Sequence, residues 1–102
     1  MKIRLRASIV NARDEGFMGI GLVWLLRRIG QFHSIRRAAA DMKLSYVKAL
    51  KILNRLEDNL GRPVVIRSRG GRAGGGAELT PFAEHYIEEY ERFLSQLTAY
   101  AE

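Results

Sequence analysis

The feature that most constrains the fold of this chain is a pair of helix-forming segments separated by only three residues. Ser34 can serve as the N-cap of a short alanine-rich helix over residues 35–42. After residues 43–45, a second helix is predicted to continue to about Leu60, and Gly61, which tolerates a positive φ, is suited to end it. This second helix has an apolar stripe for burial, made of Ala49, Ile52 or Leu53, and Leu56. The spacing therefore predicts two packed helices joined by a tight turn.

A glycine-rich segment after these helices predicts a β-hairpin. Residues 64–66 favour a strand, and residues 77–79 can return antiparallel to it. Residues 70–76 between them contain five glycines and suit a flexible tip. Two helices with a tight turn followed by a hairpin are the element order of a winged helix-turn-helix, in which the hairpin is the wing.

The N-terminal part of the chain is predicted to hold one strand and one helix. Residues 2–10 alternate charged and apolar side chains, which is typical of a half-buried strand. Glycines at positions 16, 19 and 21 are expected to break the chain, and residues 22–29 then have the apolar spacing of a core helix. The fold class is thus mainly α with a small β-hairpin, in one domain over residues 1–102.

The C-terminal segment predicts a long helix with a further role. Thr80 is a favourable N-cap, and Pro81 follows at the first helical position. Aromatic and apolar residues recur at spacings of three and four, namely Phe82, Tyr86, Tyr90, Phe93, Leu97 and Tyr100. A small core cannot cover so long a stripe, so residues 80–102 are expected to form a homodimer interface beside a DNA-binding core and wing over residues 1–79. The alternative is that the helix folds back beside Trp24 and the first strand.

Charge is distributed unevenly along the chain. Between positions 27 and 72 there are twelve basic residues and three acidic ones, whereas positions 78–102 hold one basic and six acidic residues. A segment this basic is suited to a polyanion, although basic residues can also simply solvate a surface.

Within the predicted fold, the basic and polar residues of the two helices and the wing are the candidate DNA contacts. In helix-turn-helix docking the second helix enters the major groove with its N-terminal residues near the base edges, and a basic wing tip suits the phosphates or a narrow minor groove. Glycines at the tip allow close approach to a partner. The candidates are Ser34, Arg36, Ser45, Tyr46, Lys48, Lys51, Arg55, Arg69, Gly70, Gly71 and Arg72.

The sequence holds no convincing catalytic, metal or cofactor site. It has no cysteine, and its two histidines are far apart. His85 and Glu89 have the spacing of a metal pair, but two ligands on an acidic helix are more often exposed neighbours. The glycine-rich tip lacks the lysine and Ser/Thr of a nucleotide-binding loop. We therefore expect neither an enzyme nor a bound cofactor, and the lack of a signal peptide or transmembrane stretch favours a cytoplasmic protein without a membrane partner.

Two other functions are compatible with the same predicted fold and charge. The same fold can act as a protein-interaction adaptor that docks another regulator through its last helix, and winged helices with basic loops also bind RNA. The basic segment favours nucleic acid over the adaptor.

The residues of the turn and wing resemble the N-terminal DNA-binding domain of the ModE-type molybdate-responsive regulators. The likeness rests on Ala38-Ala39 in the first helix, on Ser45-Tyr46 and Ala49 in the second, and on the wing and exit from Arg67 to Pro81. LysR-type regulators have similar N-terminal halves, but the glycine wing favours the ModE group. The resemblance implies a sequence-specific DNA-binding transcription regulator.

Three departures from that family limit what can be transferred. Val47 stands where the family commonly has lysine, so the operator sequence is left open. Lys43 occupies a turn position where relatives often have glycine, which implies strain if the backbone is left-handed there. The family's molybdate-binding domains have no counterpart in these residues, so we expect no oxyanion site of the usual kind, and a separate partner would supply any sensing.

Overall fold

The computed structural model describes residues 9–10, 16–68 and 76–101. The described elements, in chain order, are β1 Ile9–Val10, β2 Gly16–Met18, α1 Ile20–Phe32, α2 Ile35–Asp41, α3 Tyr46–Leu60, β3 Val65–Ser68, β4 Gly76–Leu79 and α4 Pro81–Ala101. This order confirms the predicted fold class, because two helices joined by a short turn are followed by a two-stranded antiparallel hairpin and a long helix.

Helix ends lie where the polar and glycine residues predict them. The hydroxyls of Ser34, Ser45 and Thr80 each accept a hydrogen bond from the backbone N–H three residues later, at 3.1, 3.1 and 3.0 Å. Gly61 ends α3 with a left-handed φ of 69°. Local capping chemistry therefore sets the bounds of α2, α3 and the start of α4.

The N-terminal hairpin differs from the prediction. Gly16, one of the three glycines predicted to break the chain, begins β2, which pairs antiparallel with β1 across a register irregularity. A glycine is compatible with an irregular pair of this kind, and the next two residues, Phe17 and Met18, are suited to a strand. The helix α1 begins at Ile20, two residues earlier than predicted, because the carbonyl of Gly19 accepts the first helical N–H groups at 3.1 Å. Residues 2–8 of the predicted strand lie outside the described residues.

The core is formed where the four helices meet. Its largest fully buried side chains are Leu25, Leu26 and Ile29 of α1, Leu53 and Leu56 of α3, Val23, Val64 and Ile87. Leu53, rather than the half-buried Ile52, completes the stripe of α3. Truncating one such leucine to alanine typically costs 2–5 kcal/mol, so this core holds the exposed faces in place.

The wing is fixed to the first helix at its base. β3 and β4 pair in regular register from Val65 with Leu79 to Ser68 with Gly76. Gly30 permits the approach of α1, because a Cβ there would lie 3.2 Å from Leu79 Cδ1. The N–H of Ala77 donates to the carbonyl of His33 at 3.0 Å, so β4 lies beside the turn between α1 and α2.

A buried threonine joins the wing to α4. The Thr80 hydroxyl donates to the carbonyl of Pro63 at 3.0 Å while it caps α4. Its N–H donates to the carbonyl of Val64 at 3.0 Å, and the N–H of Val64 donates to a carboxylate oxygen of Glu57 at 2.7 Å. The end of α3, the base of the wing and the start of α4 are therefore held by one set of hydrogen bonds.

Candidate nucleic-acid interface

The turn between α2 and α3 ends α2 with one residue in the left-handed backbone conformation. Lys43 has a φ of 58°, and its N–H donates to the carbonyl of Ala40 at 3.0 Å. The N–H of Leu44 reaches back to the carbonyl of Ala39 at 2.9 Å. This pair of bonds defines a Schellman motif, in which the left-handed position usually holds glycine. The backbone strain predicted for Lys43 is thus present. The same turn sets the direction in which α3 starts.

The outer face of α3 is basic and polar. Ala49, Leu53 and Leu56 are buried on its inner side. The candidates Lys48, Lys51 and Arg55 are all exposed at spacings of three and four, and Val47 is exposed beside them. A helix with a firmly packed inner face can present these side chains outward without disturbing the core.

Two of the candidate residues contact each other. The guanidinium of Arg36 on α2 lies 3.9 Å from the ring centroid of Tyr46, the first residue of α3. Tyr46 is half-buried against the core, whereas Arg36 is exposed. The stack holds the guanidinium over the N-terminus of α3 and leaves its edge available for hydrogen bonds. Neither helical periodicity nor charge predicted this contact, because it joins residues of different helices.

Two acidic residues of α2 and α4 pair with arginines of α1, and the described ion pairs leave out the lysines of α3. Arg28 pairs with Asp41 at 2.5 Å, and Arg27 pairs with Glu91 of α4. In the part of the chain that the structure describes, neither Lys48 nor Lys51 has an acidic partner. Their positive charge is therefore available to an external anion.

The wing contributes a described stem and a tip that lies outside the described residues. Arg67 and Ser68 are exposed on β3, and the Ser68 hydroxyl accepts the N–H of Gly76 at 3.2 Å. The candidate contacts Arg69, Gly70, Gly71 and Arg72 all fall within residues 69–75, outside the described residues. The N–H of Ala77 on β4 donates to the carbonyl of His33, so the outer part of the stem lies next to the turn that precedes α2.

The stripe of α4 is divided between the chain's own core and the surface. Phe82 and Tyr86 are half-buried with ring centroids 5.9 Å apart, and Arg62 lies over the Phe82 ring at 5.0 Å. Tyr90 is only 4% exposed, which corrects its assignment to a dimer interface: it belongs to the core of this chain. Burial raises the pKa of the Tyr86 and Tyr90 phenols.

Beyond Tyr90 the apolar stripe of α4 is exposed on the surface of the chain. Phe93 is 54% and Leu97 is 37% exposed, and the side chain of Tyr100 lies outside the described residues. The alternative in which α4 folds back therefore applies to its first half, through Tyr90 and the Arg27–Glu91 pair, but Trp24 remains 52% exposed.

The pair of His85 and Glu89 is not extended to a metal-ligating cluster in the described residues. His85 and Glu89 are both exposed, and no group of three or more potential metal-ligating side chains from histidine, cysteine, aspartate or glutamate occurs in residues 9–10, 16–68 and 76–101. None of the described helices combines the length and the apolar character needed to span a bilayer.

Residues 23–84, from α1 to the first turn of α4, match the family described as bacterial regulatory helix-turn-helix protein, lysR family. This match spans more than half of the chain. The chain belongs to this LysR family of helix-turn-helix regulators. The prediction of a helix-turn-helix of a regulator family is thereby confirmed, and the match is to regulators rather than to enzymes.

Individual relatives confirm the resemblance to ModE. The molybdenum-pterin-binding protein MopB of Rhodobacter capsulatus is 40% identical over 87 residues, which are 85% of this chain and 32% of that protein. The transcriptional regulator ModE of Haemophilus influenzae is 39% identical over 69 residues, 68% of this chain and 27% of its own length. The DNA-binding transcriptional dual regulator ModE of Escherichia coli K12 is 34% identical over 73 residues, 72% and 28% respectively. The chain spans less than a third of each relative.

Proposed function

We propose that this chain binds duplex DNA sequence-specifically as a homodimer and regulates transcription without a catalytic site of its own. Each protomer inserts the N-terminal half of α3 into the major groove, and its wing touches the flanking backbone or minor groove. Ser34, Arg36, Ser45 and Tyr46 position the start of the two helices on the duplex, and Arg55 meets the backbone. The proposal concerns the segment shared with the relatives, and a separate partner would supply any signal.

The observation that carries this proposal is the pair of unneutralised lysines on α3. Lys48 lies in the first turn of the helix and Lys51 follows three residues later on the same exposed face. The helix starts from a fixed turn and a capped N-terminus, so both side chains are presented from a rigid support. A rigid basic helix end is what major-groove docking requires.

The homodimer is supported by the exposed half of the α4 stripe. Phe93 and Leu97 lie one helical turn apart and extend the line of Phe82 and Tyr86 beyond the chain's own core. A second copy can cover this stripe with the same residues about a two-fold axis. Two recognition helices would then meet the duplex about one turn, or ~34 Å, apart, and the preferred operator would be an inverted repeat.

Selection of bound fragments from a random duplex library tests the function most directly. The expected result is an enriched sequence with two inverted half-sites. Gel shifts of the selected duplex, a scrambled duplex and a structured RNA at several salt concentrations then separate the alternatives. Preference for the RNA would favour an RNA-binding winged helix, and absence of binding to either nucleic acid would favour a protein-interaction adaptor.

A further inference from the structure

Val47 is more exposed than the other large apolar side chains of the described residues, at 60%. Single exposed apolar residues are common on protein surfaces, so exposure alone assigns no role. A valine in the first turn of a helix also brings no helical advantage, since alanine and lysine have higher helix propensities. Its position on the basic face is therefore the informative observation.

Val47 lies at the end of α3 that helix-turn-helix docking directs toward base edges. The Ser45 hydroxyl caps this turn through the N–H of Lys48, and the neighbouring Tyr46 is held under Arg36. Val47 is thus fixed between two candidate contacts and shares its outer face with Lys51, four residues later. A side chain at this place faces the groove at the same depth as its polar neighbours.

The chemistry of valine limits what it can contact there. It has no donor or acceptor, so it gains nothing from a phosphate or from the polar edges of bases. The major groove presents one apolar group, the C5-methyl of thymine. The branched side chain is also stiff, so little rotamer freedom is lost when it packs.

We propose that Val47 determines specificity by packing against a thymine methyl group in each half-site. This inference rests on the proposed function, because it assigns a base to the same recognition helix. Burial of one methyl-sized group changes affinity by about fourfold. Removing the methyl from both half-sites of an inverted repeat should then weaken binding by roughly fifteenfold.

The test uses the full chain and the duplex selected by the unaltered protein. Each thymine of the half-site is replaced in turn by deoxyuridine, which lacks the methyl and keeps every hydrogen-bonding group. The expected result is one thymine whose replacement costs about fourfold per half-site, with a clearly smaller cost in Val47→Ala, whose shorter side chain covers less of the methyl. Trp24→Ala removes another exposed apolar side chain, on α1 and outside the α3 and wing contacts, and should keep the full methyl dependence. A second selection with Val47→Ala should lose the preference for thymine at that position.

The outcomes distinguish this inference from the proposed function. If the unaltered protein selects a sequence, but the half-site contains no thymine or the deoxyuridine cost is equal in Val47→Ala, the inference is wrong and the regulator function stands. If the unaltered protein selects no sequence at all, both are wrong. Thermal unfolding of Val47→Ala checks the fold, which should be unchanged or slightly more stable.

Discussion

The helices α3 and α4 each bury one face in the same core, yet their outer faces differ in chemistry. The outer face of α3 carries Lys48 and Lys51, which have no acidic partners in the described part of the chain. The outer face of α4 beyond Tyr90 carries the exposed side chains of Phe93 and Leu97. One face is therefore suited to a polyanion and the other to an apolar surface.

This difference implies two kinds of binding with different physical signatures. Contacts between lysines and phosphates release counterions, so they weaken steeply as salt rises. Burial of aromatic and aliphatic surface gains little from low salt and depends instead on protein concentration. The same titration series can therefore separate the two faces.

The largest expected effect follows from charging the outer face of α4. Phe93→Glu with Leu97→Glu should convert the dimer to a monomer, because two carboxylates cannot be buried against their own copies. Apparent affinity for the inverted repeat should fall by roughly 10²- to 10⁴-fold, the range that linked sites gain. Sedimentation and gel shift measure the two effects.

The matched control places two carboxylates at the same spacing on the opposite, exposed side of the same helix, Ser95→Glu with Ala99→Glu, and should leave the dimer intact. Binding of the Phe93→Glu, Leu97→Glu variant to a single half-site should stay within about twofold of the affinity of one unaltered protomer, because the α3 face is untouched. If the unaltered protein sediments as a monomer at micromolar concentration, the proposed dimer through α4 is wrong.

Neutralising α3 should give the next largest effect. Lys48→Ala with Lys51→Ala is expected to weaken operator binding by between about tenfold and a hundredfold at moderate salt, with unchanged thermal stability because both residues are exposed. A uniform loss with a salt slope reduced by roughly one unit per lysine indicates phosphate contact, whereas a loss of base preference indicates direct readout. Dimerisation must stay unchanged, and unaltered affinity in this variant would mean that the recognition helix is misassigned.

Neutralising the wing tip should have a smaller effect. Arg69→Ala with Arg72→Ala is expected to reduce affinity by about tenfold at low salt, and less as salt rises, since each lost phosphate contact lowers the salt slope by roughly one unit. Salt-dependent gel shifts of the operator with long and short flanks measure it. A slope equal to that of the unaltered protein would leave the wing as a surface loop.

The bounds of α2 and α3 and the start of α4 could be predicted from the sequence, because caps act over three residues, whereas α1 begins at Ile20 without a side-chain cap. Ser34, Ser45 and Thr80 each bond the N–H at that distance, and Gly61 ends α3 as its freedom at positive φ suggests. The candidate lysines followed from the same local reading, since helical spacing alone separates them from the buried stripe.

Contacts between distant residues could not be predicted in this way. The Arg36–Tyr46 stack and the bond from Ala77 to His33 depend on how helices cross and where the wing docks. The spacing of the α4 stripe likewise identified one side of the helix, but not that Tyr90 would be covered by the chain's own core. The strand β2 was missed because its partner, not its composition, stabilises it.

The start of α4 gives a prediction about stability rather than binding. Thr80→Val keeps the shape of the side chain but leaves the N–H of Ala83 and the carbonyl of Pro63 without their partner. Unfolding free energy should fall by about 2 kcal/mol, a usual cost for an unsatisfied buried group together with a lost cap. Chemical denaturation measures it, and Thr80→Ser, which restores the hydroxyl, should recover most of the loss. Equal stability of the valine and serine variants would show that these hydrogen bonds contribute nothing net.

The smallest expected effect concerns the start of α3, where the chain uses a strained residue instead of a favourable one. Lys43 has a φ of 58° in a motif that glycine suits, and a left-handed conformation costs an L-residue roughly 1–2 kcal/mol. Glycine loses about 0.5–1 kcal/mol more entropy on folding, so Lys43→Gly should stabilise the protein by about 0.5–1 kcal/mol net. Lys43→Ala is the control, because it removes the same charge and retains the strain. Denaturation midpoints should rise only for glycine, and operator affinity should change equally in both variants if the charge alone matters. A glycine variant no more stable than the alanine variant would mean that the Schellman turn already relieves the strain at Lys43.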